Sequence, residues 1–143
     1  METIHGAPDP REASAQLDAI AQAERQVRDR PWPLWLYPSN AVLLGGLALV
    51  GLLESSMLVA IVTVVIAVGF VALNYVAGQR IGTPFAIPSS RGFRTLVAVS
   101  AACVIASLAA RIGGWDAAII GCAVAAVVSY VAASVLHYRA TRR

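Results

Sequence analysis

Few side chains in this 143-residue chain are of kinds that do chemistry, and their spacing argues against a reaction centre. Cys103 and Cys122 have no C-x-x-C spacing, and no histidine or acid stands close in sequence to lower a thiol pKa. They read as small apolar residues of helix interiors. His137-Tyr138 could ligate or titrate, but a pair of this kind at the end of an apolar run serves to anchor a helix at a membrane interface. Asn74, beside Tyr75, suits a hydrogen bond to another helix or to headgroup water. There is no Gly-rich phosphate loop, Ser/His/Asp set, HExxH motif or carboxylate pair, so an enzyme would have to be assembled from Asn74, His137 and the loop 78–92. The expectation is a non-enzymatic chain with no catalytic, cofactor-binding or metal-binding residue.

The guanidinium groups are more informative. All eleven cationic side chains are arginine, and nine of them crowd the ends of four apolar runs. Arg25, Arg28 and Arg30 precede the first run; Arg80, Arg91 and Arg94 lie between the second and third; Arg139, Arg142 and Arg143 follow the fourth. The other two connections are short and hold only Arg111, beside Glu54 and Asp116. Alternating flanks of opposite cation content are the signature of the positive-inside bias. It implies a multi-pass protein of the cytoplasmic (inner) membrane with both termini in the cytoplasm. Arg80, Arg91 and Arg94 are then candidate contacts for anionic lipid headgroups, each worth about 1 kcal/mol near the surface.

Composition points the same way. Hydrophobic residues make up 58% of the chain and charged ones 13%, against about 45–50% and about 25% in soluble domains. The spans are expected at about 34–53, 57–76, 94–111 and 116–137, within a membrane domain 34–137, and a basic tail 138–143 follows. The net charge of +3 hides an N-terminal segment 1–30 with six acids and four arginines. A nucleic-acid partner needs a basic patch on a water-exposed module, and no such module is present.

The arm 1–30 carries a helix at about 10–29. Asp9 suits the N-cap, Pro10 the first helical position and Glu12 the first turn. Its apolar face is thin: Leu17, Ile20 and Val27, supported by Ala13 and Ala21. A helix that polar seldom stands alone in water, so it is expected to lie on the membrane surface, pack against a partner or pair with its copy in an oligomer, and this face is the candidate partner surface. An elbow at 31–38 follows, with three prolines that cannot continue the helix. Trp32, Trp35 and Tyr37 there, and Trp115 at the opposite end, are read as interfacial anchors. An aromatic ligand-binding cluster is the sharper alternative.

Short turns at 54–56 and 112–115 fold the runs into two antiparallel hairpins. The fold class expected is all-α: a four-transmembrane-helix bundle of two such hairpins, with an N-terminal cytosolic or interfacial helix. Ala98, Ala102, Ala106 and Ala110, facing Ala117, Gly121, Ala125, Ser129 and Ala133, form two small-residue stripes through which the second hairpin would pack closely. Gly45, Gly46 and Gly51 leave a flat area able to accept another helix.

The length and helix count resemble the small multidrug antiporters, but the membrane-embedded glutamate that defines them is missing, and no ionisable residue lies near the centre of any run. The arm at 11–30 and the elbow Pro31 to Pro38, with the helix count, resemble the small four-helix membrane proteins of high-GC bacteria. That resemblance implies architecture and no activity. The function expected is association with a membrane or cytosolic partner, another membrane protein or a second copy in a homo-oligomer, as an accessory or regulatory subunit. The alternative is a homo-oligomeric transporter or channel for hydrophobic or weakly polar solutes or lipids, lined by Thr63, Ser100, Ser107 and Ser129.

Overall fold

The computed structural model describes residues 10–28, 32–82, 88 and 90–142, with the side chains of 24–28 left outside the description. Among the described residues every regular element is helical: α1 (Pro10–Arg28), α2 (Leu36–Leu49) continued by a 3-10 turn (Val50–Leu52), α3 (Ser56–Ile81), α4 (Arg91–Ile112) and α5 (Asp116–Ala140). Three of them, α3, α4 and α5, are long and apolar enough to cross a membrane. The apolar stretch Leu36–Leu52 is shorter.

Local chemistry sets these bounds. α1 is rich in strong helix formers, with Glu12 in its first turn where the helix dipole favours an acid; the expected Asp9 cap lies outside the described residues. At the start of α2, the Leu36 amide donates to Pro33 O at 2.9 Å. Pro38 follows within the first turn, where its missing N–H has no intrahelical acceptor to lose. The first apolar helix therefore begins at Leu36 rather than 34. Near its far end it tightens into the 3-10 turn, and a Cβ placed at Gly51 would lie 3.2 Å from Ile119 Cδ1.

α3 is capped by the Ser55 hydroxyl, which accepts from the Leu58 amide at 3.4 Å. It runs past the expected end at 76, because Ala77, Gln79 and Arg80 all sustain a helix, and stops where Gly82 takes a φ of 75°. α4 starts at Arg91, three residues before the expected bound, since Ser90 caps it through the Phe93 amide at 3.4 Å. Gly114, with a φ of 66°, turns the chain into α5, which continues three residues beyond the expected 137.

The helices do not pack as two equal hairpins. α4 and α5 form the most extensive contact, and α2 lies against both of them, antiparallel to α5 and parallel to α4. Among the described residues α3 touches only α2 and the 3-10 turn, while α1 touches no other element. The core therefore sits among α2, α4 and α5. Its centre is Ala48, Val104, Ala123 and Ala126, with Leu44, Leu47 and Cys103 packed around them. Small side chains let these backbones approach closely, which matters where lipid offers no hydrophobic drive for association.

The expected stripes require correction. Ala98, Ala102 and Ala106 are exposed, as are Ala117, Gly121 and Ala125, and Ser129 is half-buried; of the two stripes only Ala110 and Ala133 are buried. The buried positions are Phe93, Ser100, Val104, Ser107 and Ala110 on α4, and Ile119, Ala123, Ala126, Tyr130, Ala133, Ser134 and His137 on α5. Most are offset by one or two residues from the expected stripe, and at about 100° per residue that turns them onto a different side of the helix. Alanine-rich helices carry small residues on several faces, so four-residue spacing does not choose among them. The choice is made by the Ser100 hydroxyl, which finds its acceptor on α5, and by the need to face α2 as well. The glycines of α2 accept neighbours from both sides: Gly45 lies against Val127 of α5, and Gly46 against Ile66 of α3.

Candidate functional site: a polar and aromatic junction

Antiparallel and parallel pairing brings the start of α2, the end of α3, the start of α4 and the end of α5 together. The arginines Arg80, Arg91, Arg94, Arg139 and Arg142 are carried at this same end, and all five are exposed. Just inside it lies a polar junction. Asn40 donates through Nδ2 to Asn74 Oδ1 at 3.1 Å and to Tyr130 Oη at 3.0 Å. Asn74 returns a bond from Nδ2 to Asn40 Oδ1 at 3.0 Å and donates to Phe70 O at 2.8 Å. Phe70 O can only accept, so the Asn74 amide must turn its NH₂ toward that carbonyl, and this fixes the orientation of both amides. All four amide hydrogens are used. The junction joins α2, α3 and α5 and leaves no amide donor free for a ligand.

The hydroxyls are arranged on the same principle. Ser100 donates across the helix contact to Ala126 O at 2.8 Å. Ser107 and Ser134 bond within their own helices, to Val104 O at 2.7 Å and Tyr130 O at 2.8 Å. Ser100 and Ser107 are thus buried between helices, and they do not share a path with Thr63, which stands on α3.

An aromatic box lies next to the polar junction. His137, only 2% exposed, has its ring centroid 5.1 Å from Trp32, 5.2 Å from Phe93 and 6.2 Å from Tyr37. Trp32 meets Phe93 edge-on at 5.7 Å and stacks on Tyr37 at 6.1 Å. Centroid separations of about 4.5–7 Å are those of favourable aromatic pairs. Four elements meet here: the elbow, α2, α4 and α5. Pro88 is buried as well. The elbow is therefore held against the bundle by ring contacts.

The anchor residues divide accordingly. Trp35 and Trp115 are exposed, with the Arg80 guanidinium 5.8 Å above the Trp35 ring. Trp32 is half-buried and Tyr37 buried, so these two pack inward against the bundle. Leu17 and Ile20 are 67% and 64% exposed on α1, while the Val27 side chain lies outside the described residues. The candidate headgroup contacts Arg80, Arg91 and Arg94 stand on two helices, α3 and α4, and the loop residues 83–87 and 89 lie outside the described residues.

Sequence reasoning passed over Asn40, Tyr130 and Phe93. One signal was available for the first: Asn40 and Asn74 are the chain's only asparagines, and both sit a few residues inside the cationic ends of their helices. The two cysteines are free thiols, and among the described residues no three His, Cys, Asp or Glu side chains gather as a metal site. The arrangement locks helices together. No known protein family, curated protein or solved structure matches the chain.

Proposed function

We propose that this chain is a multi-pass protein of the cytoplasmic membrane that acts by association, with four crossing segments and both termini on the cytoplasmic side. The fourth crossing is the stretch Leu36–Leu52, which packs among the longer helices and shares their cationic end. Its role is that of an accessory or regulatory subunit, with α1 as the docking element.

The observation that carries this reading is the condition of α1. It shows Leu17 and Ile20 to solvent and touches no other element among the described residues. A 19-residue helix of that polarity is marginal in water unless its apolar face is covered. Three acids and three arginines balance along it, so attraction to an anionic bilayer does not provide the cover. A protein surface does.

Photo-crosslinking residues at Leu17 and Ile20 in living cells should trap a discrete partner, and the same probe at Gln22, exposed on the other side of the helix, should not. Absence of adducts at Leu17 and Ile20, together with an unchanged phenotype when 10–28 is deleted, would overturn the reading. The transport alternative has less support, because Ser100 and Ser107 give their hydroxyl hydrogens to carbonyls inside the bundle.

A further inference from the structure

A groove of about 400 Å³ runs between the start of α2 and the end of α5. Leu34 and Pro38 form one wall and Val131 and Val135 the other; Tyr37 also lines it, and Arg139 stands at its mouth. From Val131 to Arg139 the helix rises about 12 Å, so an apolar trough leads directly into the membrane from a fixed positive charge. Tyr37 is buried, and its hydroxyl makes no hydrogen bond of good geometry among the described residues. The other cation nearby, Arg142, is engaged 4.4 Å from the Tyr138 ring.

We infer that this groove seats one anionic phospholipid, with an acyl chain against Val131, Val135, Leu34 and Pro38 and the phosphate at Arg139. Charge complementarity and depth select this occupant. A peptide helix would have no use for a trough that begins at the headgroup layer, and a zwitterionic lipid, whose phosphate is already balanced by its own ammonium, gains less than an anionic one from the Arg139 charge at the mouth. Basic pockets between spanning helices on the cytoplasmic side suit anionic headgroups in general. The seat is distinct from Arg80, Arg91 and Arg94, none of which lines it. It rests on the membrane placement proposed above and does not depend on the docking role of α1.

The test is native mass spectrometry of the full chain released from vesicles of equal phosphatidylglycerol and phosphatidylcholine. The parent should retain one phosphatidylglycerol in preference to phosphatidylcholine. Arg139→Gln, at an exposed position where folding is not at stake, should lower that preference about fivefold, as for loss of one surface cation. Arg91→Gln should not change it, and Val135→Trp should reduce retention of both lipids by filling the trough. Added glycerol phosphate, which lacks acyl chains, should not compete. Equal effects of Arg139→Gln and Arg91→Gln would indicate diffuse attraction and overturn the seat, as would retention unaffected by Val135→Trp or competition by glycerol phosphate. Adducts from α1 and partition into the membrane fraction are scored on the same preparations, so either reading can fail while the other stands.

Discussion

Asn40 and Asn74 exchange amide hydrogens across α2 and α3, each donating Nδ2–H to the other's Oδ1, at 3.1 and 3.0 Å. Asn40 alone also reaches α5, through Tyr130. The two residues are therefore unequal: one ties two helices and the other ties three. Asn40→Leu should lower the unfolding free energy in mixed micelles by about 2 kcal/mol and Asn74→Leu by about 1 kcal/mol, taking interhelical bonds at about 0.6–1.7 kcal/mol each. The double substitution should show coupling between the sites. An additive pair, or a larger loss at Asn74, would mean the reciprocal bond does not hold these helices.

Close approach of α2 to α5 depends on the missing side chain at Gly45, where a Cβ would lie 2.8 Å from Val127 Cγ2. Valine has one strongly preferred rotamer in a helix and cannot swing aside cheaply. Gly45→Ala should cost about 1–3 kcal/mol, most of it recovered by Val127→Ala in the same chain. Gly69→Ala, where nothing lies within 4 Å, should stay within about 0.5 kcal/mol of the parent. Equal stability of the two variants in a denaturant titration would refute this packing.

The serines of α4 provide a second contrast. Ser100 bonds to α5 while Ser107 bonds one turn back on its own helix, although both are fully buried. Ser100→Ala should lose about 1 kcal/mol of helix association. Ser107→Ala, whose freed acceptor is a carbonyl already bonded within the helix, should lose about 0.5 kcal/mol or less. The same titration separates them, and a reversed order would argue against the contact face assigned to α4.

Topology is testable with single cysteines in a background lacking Cys103 and Cys122. Positions 11 and 142 should react with a membrane-impermeant maleimide only from the cytoplasmic side. Positions 55 and 114, in the turns at the other end, should react only from outside. Labelling of 55 and 142 from the same side would remove the four-crossing arrangement.

The elements themselves were largely legible in the sequence, because long apolar runs, Ser and Gly punctuation and arginine flanks are local signals. Boundaries moved where a good helix former continued past the apolar stretch, as at Gln79 and Arg80, where a cap came early, as at Ser90, and where the elbow delayed the start of α2 to Leu36. The contact faces were not legible. Ala98 and Ser100 differ by two residues and both suit a close helix contact, and only the position of α2 and the carbonyl of Ala126 decide between them. His137 shows the same gap. At the end of an apolar run it reads as an interfacial anchor, but Trp32, Tyr37 and Phe93, distant in sequence, enclose it. Pairing across helices leaves no trace in the local pattern of any one of them.

The restricted packing of α3 sets an order of events in the bilayer. Among the described residues, withdrawing α2 separates it from three helices at once, whereas α3 can leave by parting from α2 and the short turn beside it. The amide pair then acts as a clasp at one end, and the Ser55-side half of α3 has no polar tether to the remaining helices among the described residues. Peeling thus begins at that open half and stops at the clasp, making α3 the first segment to detach when the protein is stressed and the last to lock when it assembles.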